Sequence, residues 1–276
     1  MGLSLGEALQ QAGAVSALTF CGRSQEPPSH PLFHSEGARY VWGLEPPPPG
    51  TTAVCLSVPD DALEEVAHAL AGRGDAPPGC AAFHLSGSVS ADPLAPLHAR
   101  GYSVGTLHPL QSVANPHGGA ERLFGSGYAL SGEPEALAVG RRLVAALGGR
   151  IIRVPASRRP LYHAAAVFAS NYLVVILDAA VRSMMEAGVE GPEARDVLLS
   201  LAQGTLDNLK ALEPEHALTG PVSRGDLETV GLHLRSLPVR ERELYARLGA
   251  AALEIVGAEM PPEIRERMAE MFEDTE

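Results

Sequence analysis

Three histidines and a tyrosine fall where a fold could bring proton chemistry together: His84 ending CAAFHLSG, His108 ending YSVGTLHP, and Tyr162 with His163 in RRPLYHAAA. Histidine gives or takes a proton near neutral pH, which reduction of a carbonyl or imine requires alongside a hydride. One histidine at a strand end is more often a structural hydrogen-bonding residue, but two at neighbouring sheet edges balance that reading with a catalytic one. Asn171 lies eight residues past His163, an advance of about 800°, so on a continuous helix the two fall within about 80° of each other and line one groove. Asn171 would serve almost equally as an interhelical hydrogen bond. In LTGPVSRGD the Gly220 and Pro221 pair breaks helix, Asp226 has the chemistry of an N-cap, and Arg224 is left on a loop able to reach a carboxylate or phosphate, or as a plain surface charge. The candidates are thus His84, His108, His163 and Asn171 for catalysis, with Tyr162 and Arg224 for substrate. The separations of His84, His108, His163 and His233 match no short metal-ligand spacing, so no metal is expected. HLSGS lacks the G-x-S-x-G elbow of a nucleophilic serine.

The elements that must position these residues change character along the chain. Up to about Pro155, short β-rich runs alternate with helical patterns: AVSALTFCG (14–22), ARYVWGL (38–44), TTAVCLSVP (51–59), CAAFHLSG (80–87) and YSVGTLHP (102–109) read as strands. A strand, a helix and a strand then cover 127–154, the helix ending at Gly148 and Gly149. Strands alternating with helices imply βαβ units and a mostly parallel sheet. Beyond Ser157 no further strand is expected. Residues 158–189 read as one long helix, apolar around most of its circumference, which must be enclosed by other helices or by a partner subunit. The expected organisation is an α/β Rossmann-type domain over 1–156 followed by an all-α domain over 157–276.

A dinucleotide-binding βαβ unit runs from a strand through G-x-G-x-x-G into a helix whose N-terminus receives the pyrophosphate. GLSLGEALQQAG fits that pattern from its last glycine onward: Gly2 ends the fingerprint, Leu5 and Leu9 face the sheet, and Gly6 allows close approach. The leading strand and the first two glycines do not precede it. Their absence is expected to leave a gap between SALTFC and TAVCLSV or to force those strands to rearrange. It means either a start upstream or a crippled phosphate-binding turn. The next strand ends CGRS, about twenty residues beyond Gly2, where an acidic residue would hold the ribose of NAD and an arginine the 2′-phosphate of NADP. Arg23, with Ser24 beside it, therefore favours NADP over NAD. SVPDDAL ends another strand and opens a helix, placing Val58, Pro59 and Asp60 at a turn on the ligand edge, with Ser86 on the following one. Asp60 or Asp61 serves at least equally well as a helix cap.

Composition narrows the partners. Lys and Arg total 21 against 33 Asp and Glu, a formal net charge of -12 that disfavours a nucleic-acid footprint and leaves room for a small anionic ligand. Cys21, Cys55 and Cys80 are widely spaced in apolar runs and read as buried free thiols. The stretch 164–177 is interrupted by Ser170 and Asn171 and closed by Asp178, so no membrane span is expected and the chain reads as cytoplasmic.

HLSGSVSADPLAPL, GYSVGTLHPLQS, RPLYHAAAVFASN and ALTGPVSRGD, in that order, resemble a bacterial family of Rossmann-like proteins carrying a C-terminal domain of unknown function. That family is similar to NADP oxidoreductases of the pyrroline-5-carboxylate reductase and 6-phosphogluconate dehydrogenase type. The resemblance implies an NADP-binding N-terminal domain, a helical C-terminal domain that forms a homodimer, and a small-molecule substrate in a cleft between them. The expected activity is reduction of a small anionic carbonyl or imine; the alternative is a dinucleotide- or ligand-binding dimer without turnover. The chain departs from the family at the missing first strand and at Arg159, which stands where a lysine is expected; an arginine does not deprotonate at working pH.

Overall fold

The alternation of β-rich and helical runs becomes two sheets with helices against them. The computed structural model describes residues 1–34, 37–256 and 260–274. Two units divide it, Met1–Ser170 and Asn171–Glu276. The boundary expected near 156 therefore falls one helix later.

The first unit runs α1 (Gly2–Gln11), β1 (Leu18–Gly22), β2 (Ala38–Trp42), β3 (Ala53–Leu56), α2 (Leu63–Ala71), β4 (Ala81–His84), α3 (Ala95–His98), β5 (Ser103–Leu110), β6 (Gly127–Gly132), α4 (Pro134–Ala146), β7 (Arg150–Ile152) and α5 (Arg159–Ala169). β1 and β2 pair in parallel, Leu18 with Ala38 through Gly22 with Trp42, as a separate two-stranded sheet. The other five strands lie in the order β3-β4-β5-β6-β7. All pairs in that sheet are parallel except β5 with β6. The exception has a simple cause: between those two strands stands only a short 3-10 turn, Glu121–Leu123, and without a crossover helix the chain returns antiparallel.

The gap expected between the first and third β-runs is present, since β1 and β3 do not pair. α1 touches both flanks of it. A Cβ at Gly6 would stand 2.5 Å from Phe20 Cζ on β1, and one at Gly2 would stand 2.8 Å from Ser57 Cβ just past β3. Glycine at these two positions is what lets the helix lie this close. Leu5, Ala8 and Leu9 enter the core with Phe83, Leu107 and Leu130. On the opposite face of the sheet Leu63, Ala67 and Leu70 of α2 pack with Leu56, Ala82 and Leu94. The alternation of Ala82 and Phe83 between these clusters is the period-two signature of a strand buried on both sides.

The second unit is helical: α6 (Asn171–Glu186), α7 (Gly191–Asn208), α8 (Pro214–Ala217), α9 (Leu227–Ser236), α10 (Val239–Val256) and α11 (Pro262–Glu273). Val230, Ala246, Leu253, Met268 and Phe272 form its core. Asp226 caps α9 by accepting from the Thr229 amide at 3.0 Å and hydroxyl at 2.7 Å. Arg182 ties α6 to α10 through Glu241 at 2.8 Å and also pairs with Asp178 one turn earlier.

Two expectations need correction. The long helix of 158–189 is two helices, interrupted at Ser170, whose φ of -125° and ψ of -69° leave the helical region. Ser170 and Asn171 compete for backbone hydrogen bonds and are weak helix formers, which locates the break. The three thiols are all free, but only Cys80 is buried; Cys21 and Cys55 are exposed. Those two sit on β1 and β3, the strands flanking the gap.

Candidate active site

The chemistry-bearing residues of the first unit gather at the carboxyl ends of β4 and β5, because β4 and β5 run parallel with His84 opposite Thr106. Thr106 and His108 share one face of β5 by the period of two. Toward that face comes the first turn of α5. Arg159, 1 % exposed, donates through Nη1 to Thr106 Oγ1 at 2.9 Å and through Nη2 to the Ser86 carbonyl at 2.7 Å. Thr106 Oγ1 is in turn 2.7 Å from Ser131 Oγ on β6. One buried guanidinium thus pins helix, strand and loop together, and its charge sits in the site with no salt-bridge partner among the described residues.

One turn along α5, Tyr162 places its hydroxyl 2.8 Å from His108 Nδ1, with the two rings edge to face. His163 brings a second imidazole, its ring centre 6.2 Å from that of His108. Gly87 lies between them: a Cβ there would stand 2.7 Å from His163 Nδ1 and 2.8 Å from His108 Cε1. Two buried polar atoms of the cluster, Arg159 Nε and His163 Nδ1, have no hydrogen-bond partner. In a buried site such atoms are the places where a ligand or ordered water is accommodated.

The electrostatics follow from burial and positive charge. Desolvation first, then the neighbouring His163 and Arg159, push His108 down to about 4, so it is neutral at physiological pH. In the tautomer that carries its proton on Nε2, neutral His108 accepts the Tyr162 O–H at Nδ1; in the other it donates to the Tyr162 oxygen. Burial raises Tyr162 while Arg159 opposes that rise.

His84 has a different place from the one its sequence position suggests. It is fully buried, its Nδ1 accepts from the Ser86 amide at 3.2 Å, and its Nε2 lies 2.6 Å from the Ser90 carbonyl. Both nitrogens are committed to backbone, so it shapes the 86–90 loop and has none left for a substrate. Asp60 caps nothing: its Oδ2 accepts from Ser86 Oγ at 2.9 Å and Ser88 Oγ at 2.8 Å, linking the turn after β3 to the loop after β4. Val58 packs at the edge of the α2 core, next to Pro59, which precedes that turn.

At the other flank, Gly2 donates its amide to Ser57 Oγ at 2.9 Å, and the first helical bond runs from Leu5 to Met1. Arg23 is exposed just past β1, and the Ser24 carbonyl accepts from Tyr40 Oη at 2.7 Å. Asn171 and Arg224 belong to the second unit. Both are exposed, Asn171 opening α6 and Arg224 standing on the 220–225 turn. The helix break at Ser170 removes the continuous-helix geometry that aligned Asn171 with His163.

Sequence reasoning missed Arg159 as an organising residue, and Thr106, Ser88 and Ser131 altogether. Thr106 is within reach of it, two residues before His108 on the same strand face. Burial of a guanidinium leaves no trace in spacing. Among the described residues no three His, Cys, Asp or Glu side chains come together as metal ligands.

Residues 127–252 match the family model for a domain of unknown function, DUF2520. No curated protein sequence matches the chain. Among solved structures, a Thermotoga maritima protein (TM1727) is similar with a TM-score of 0.73 at 22 % identity, over 94 % of this chain and 96 % of that one. A Bacteroides fragilis protein assigned to the NADP oxidoreductases (BF3122) gives 0.70 at 24 % identity, over 91 % and 93 %. A Plasmodium falciparum pyrroline carboxylate reductase with NADP bound gives 0.60 at 11 % identity, over 99 % and 94 %. The chain carries a DUF2520 domain over residues 127–252 and shares the Rossmann-type fold of these three structures.

Proposed function

We propose that the chain is an oxidoreductase using NADP(H) to reduce the C=O or C=N bond of a small anionic substrate. The observation that carries this reading is the His108–Tyr162 pair at 2.8 Å beside two unpartnered buried atoms, at the carboxyl ends of parallel strands where such folds bind ligands. Support for the cofactor comes from Arg23 past β1, from the α1 N-terminus beside Ser57, and from the bound NADP of a structural relative.

When bound, the cofactor's nicotinamide would supply the hydride for the substrate carbon; the chain's part is the proton. His108 gives the proton on Nε2 to the substrate oxygen or nitrogen and takes the Tyr162 proton at Nδ1, so the imidazole ends neutral in its other tautomer. The tyrosinate left on Tyr162 is stabilised by the Arg159 charge and regains a proton from water. Product is an alcohol or amine, with one hydride and one proton accounted for. His163 Nδ1, buried and without a partner, is left to hydrogen-bond the ligand.

The test is calorimetric titration with NADPH and NADH, followed by NADPH oxidation with small keto acids and cyclic imino acids. NADPH binding that Arg23→Ala weakens toward the level of NADH supports the reading; no binding of either dinucleotide overturns it. A second reading, a dinucleotide- or ligand-binding protein without turnover, is favoured by one observation: the Gly2 amide that would meet a phosphate is taken by Ser57. Binding without oxidation by any substrate of these classes selects it.

A further inference from the structure

Residues 23–29, which carry Arg23 and Ser24, are exposed from end to end. Among the described residues, the only hydrogen bond made to this segment is the one that Tyr40 Oη donates to the Ser24 carbonyl at 2.7 Å. Tyr40 stands on β2 opposite Phe20 of β1, and Phe20 and Gly22 share one face of β1 by the period of two. Its side chain leans along the strand toward the carboxyl end, so the ring lies over Gly22. A Cβ at Gly22 would meet Tyr40 Cε2 at 2.8 Å and Cζ at 2.9 Å. Phe33 meets the Tyr40 ring edge-on with centroids 5.8 Å apart, and meets Phe20 in the same way at 5.4 Å. A ring wedged between Phe33 and a side-chain-free strand end thus carries one hydroxyl across to the turn that bears Arg23.

We propose that Tyr40 is a positioning residue that sets the preference for NADP over NAD, by holding the Arg23–Ser24 turn in the shape that receives the 2′-phosphate. This rests on the reading of Arg23 given above. An exposed turn without that bond would have to be ordered when the phosphate arrives, and the ordering would be subtracted from affinity. The bond also engages the Ser24 carbonyl oxygen, an acceptor that repels a phosphate if left facing it. NADH places no charge at this turn, so its binding does not depend on Tyr40. A tyrosine that merely stabilised the fold would affect both dinucleotides alike.

The test is calorimetric titration of the full chain with NADPH and NADH, and with 2′,5′-ADP against 5′-AMP, a pair that differs only in the 2′-phosphate. Tyr40→Phe keeps the ring over Gly22 and removes the hydroxyl. It is expected to weaken NADPH and 2′,5′-ADP about fivefold, the worth of one hydrogen bond, and to leave NADH and 5′-AMP within about twofold of wild type. Gly22→Ala pushes the ring aside and is expected to give the same selective loss by a second route. In an Arg23→Ala background, Tyr40→Phe is expected to cost nothing further. Equal weakening of NADPH and NADH by Tyr40→Phe, wild-type NADPH affinity in that variant, or a loss of the same size with and without Arg23 overturns the role of Tyr40 and leaves the assignment of Arg23 standing. A wild-type chain that binds 2′,5′-ADP no better than 5′-AMP overturns the assignment of Arg23 itself, and the role of Tyr40 falls with it.

Discussion

The Tyr162 hydroxyl and His108 Nδ1 stand 2.8 Å apart across the join between α5 and β5, and Gly87 lies so close to that imidazole that no side chain fits there. The helix, the strand and the loop after β4 are held in this arrangement by one residue, Arg159, which bonds Thr106 and the Ser86 carbonyl at once.

Tyr162→Phe keeps the ring packed on His108 and removes only the hydroxyl. Loss of a positioned proton source is expected to lower the reduction rate on the order of 100-fold, while loss of one hydrogen bond costs about 1 kcal/mol of stability. Steady-state rates and thermal unfolding of the same preparation check the two effects together. A variant with the wild-type rate removes Tyr162 from the proton path.

Gly87→Ala introduces a methyl group 2.7 Å from His163 Nδ1 and 2.8 Å from His108 Cε1. Neither ring can yield without losing its packing, so overpacking costs about 1–3 kcal/mol, and proton transfer through His108 is expected to fall with it. Histidine NMR chemical shifts read the displacement directly: both His108 and His163 resonances should move. A shift in neither would show that the loop gives way instead.

The period-two runs and turn glycines make most strands legible from the residues alone, and four of the motifs that matter lie at the ends of those runs. What spacing does not carry is burial and direction. His84 and His108 look equivalent at neighbouring strand ends, yet the 86–90 loop folds back to occupy both nitrogens of His84 and leaves His108 Nε2 open beside Gly87. Arg159 reads as a lost lysine; its importance comes from Thr106 and Ser86, two partners that only the packing of α5 identifies. The antiparallel turn of β6 and the break at Ser170 are likewise decided by short local competitions that hydrophobic periodicity does not register.

Stability on the acid side should track the buried histidines. His108 is held near 4 in the folded chain against an ordinary value of 6.5, so the unfolded chain binds more protons between those values. Stability is therefore complete above about pH 6.5 and falls as pH drops toward 4, with His84, also lowered by burial, adding in the same direction. Melting temperature measured from pH 8 to 4 should show this fall, and His108→Asn should make it shallower. An unchanged slope in the variant would assign the acid sensitivity elsewhere.

Asp60→Ala tests the link between two ligand-edge turns. The carboxylate accepts from Ser86 and Ser88, and its removal leaves both hydroxyls to water and frees the loop after β4. Because these groups are partly exposed, the global cost is about 1 kcal/mol. The local effect is larger: hydrogen exchange of the Ser88 and Val89 amides, which now reach Ser86 Oγ, should quicken several-fold while β4 stays protected.

The Ser57 hydroxyl occupies the Gly2 amide at 2.9 Å, at the end of α1 where partial positive charge and unpaired N–H groups attract phosphate. Ser57 and a phosphate oxygen are therefore competitors for one donor. Ser57→Ala removes the competitor and keeps the Cβ that packs against Gly2. Two opposite effects are expected in one variant: a loss of about 1 kcal/mol in folding stability from the missing hydrogen bond, and several-fold tighter NADPH binding because the amide is free in the unliganded state. Calorimetric titration of wild type and variant separates them. Affinity that is equal in both would mean that the phosphates do not approach Gly2, and would move the dinucleotide's anchoring to the Arg23 flank.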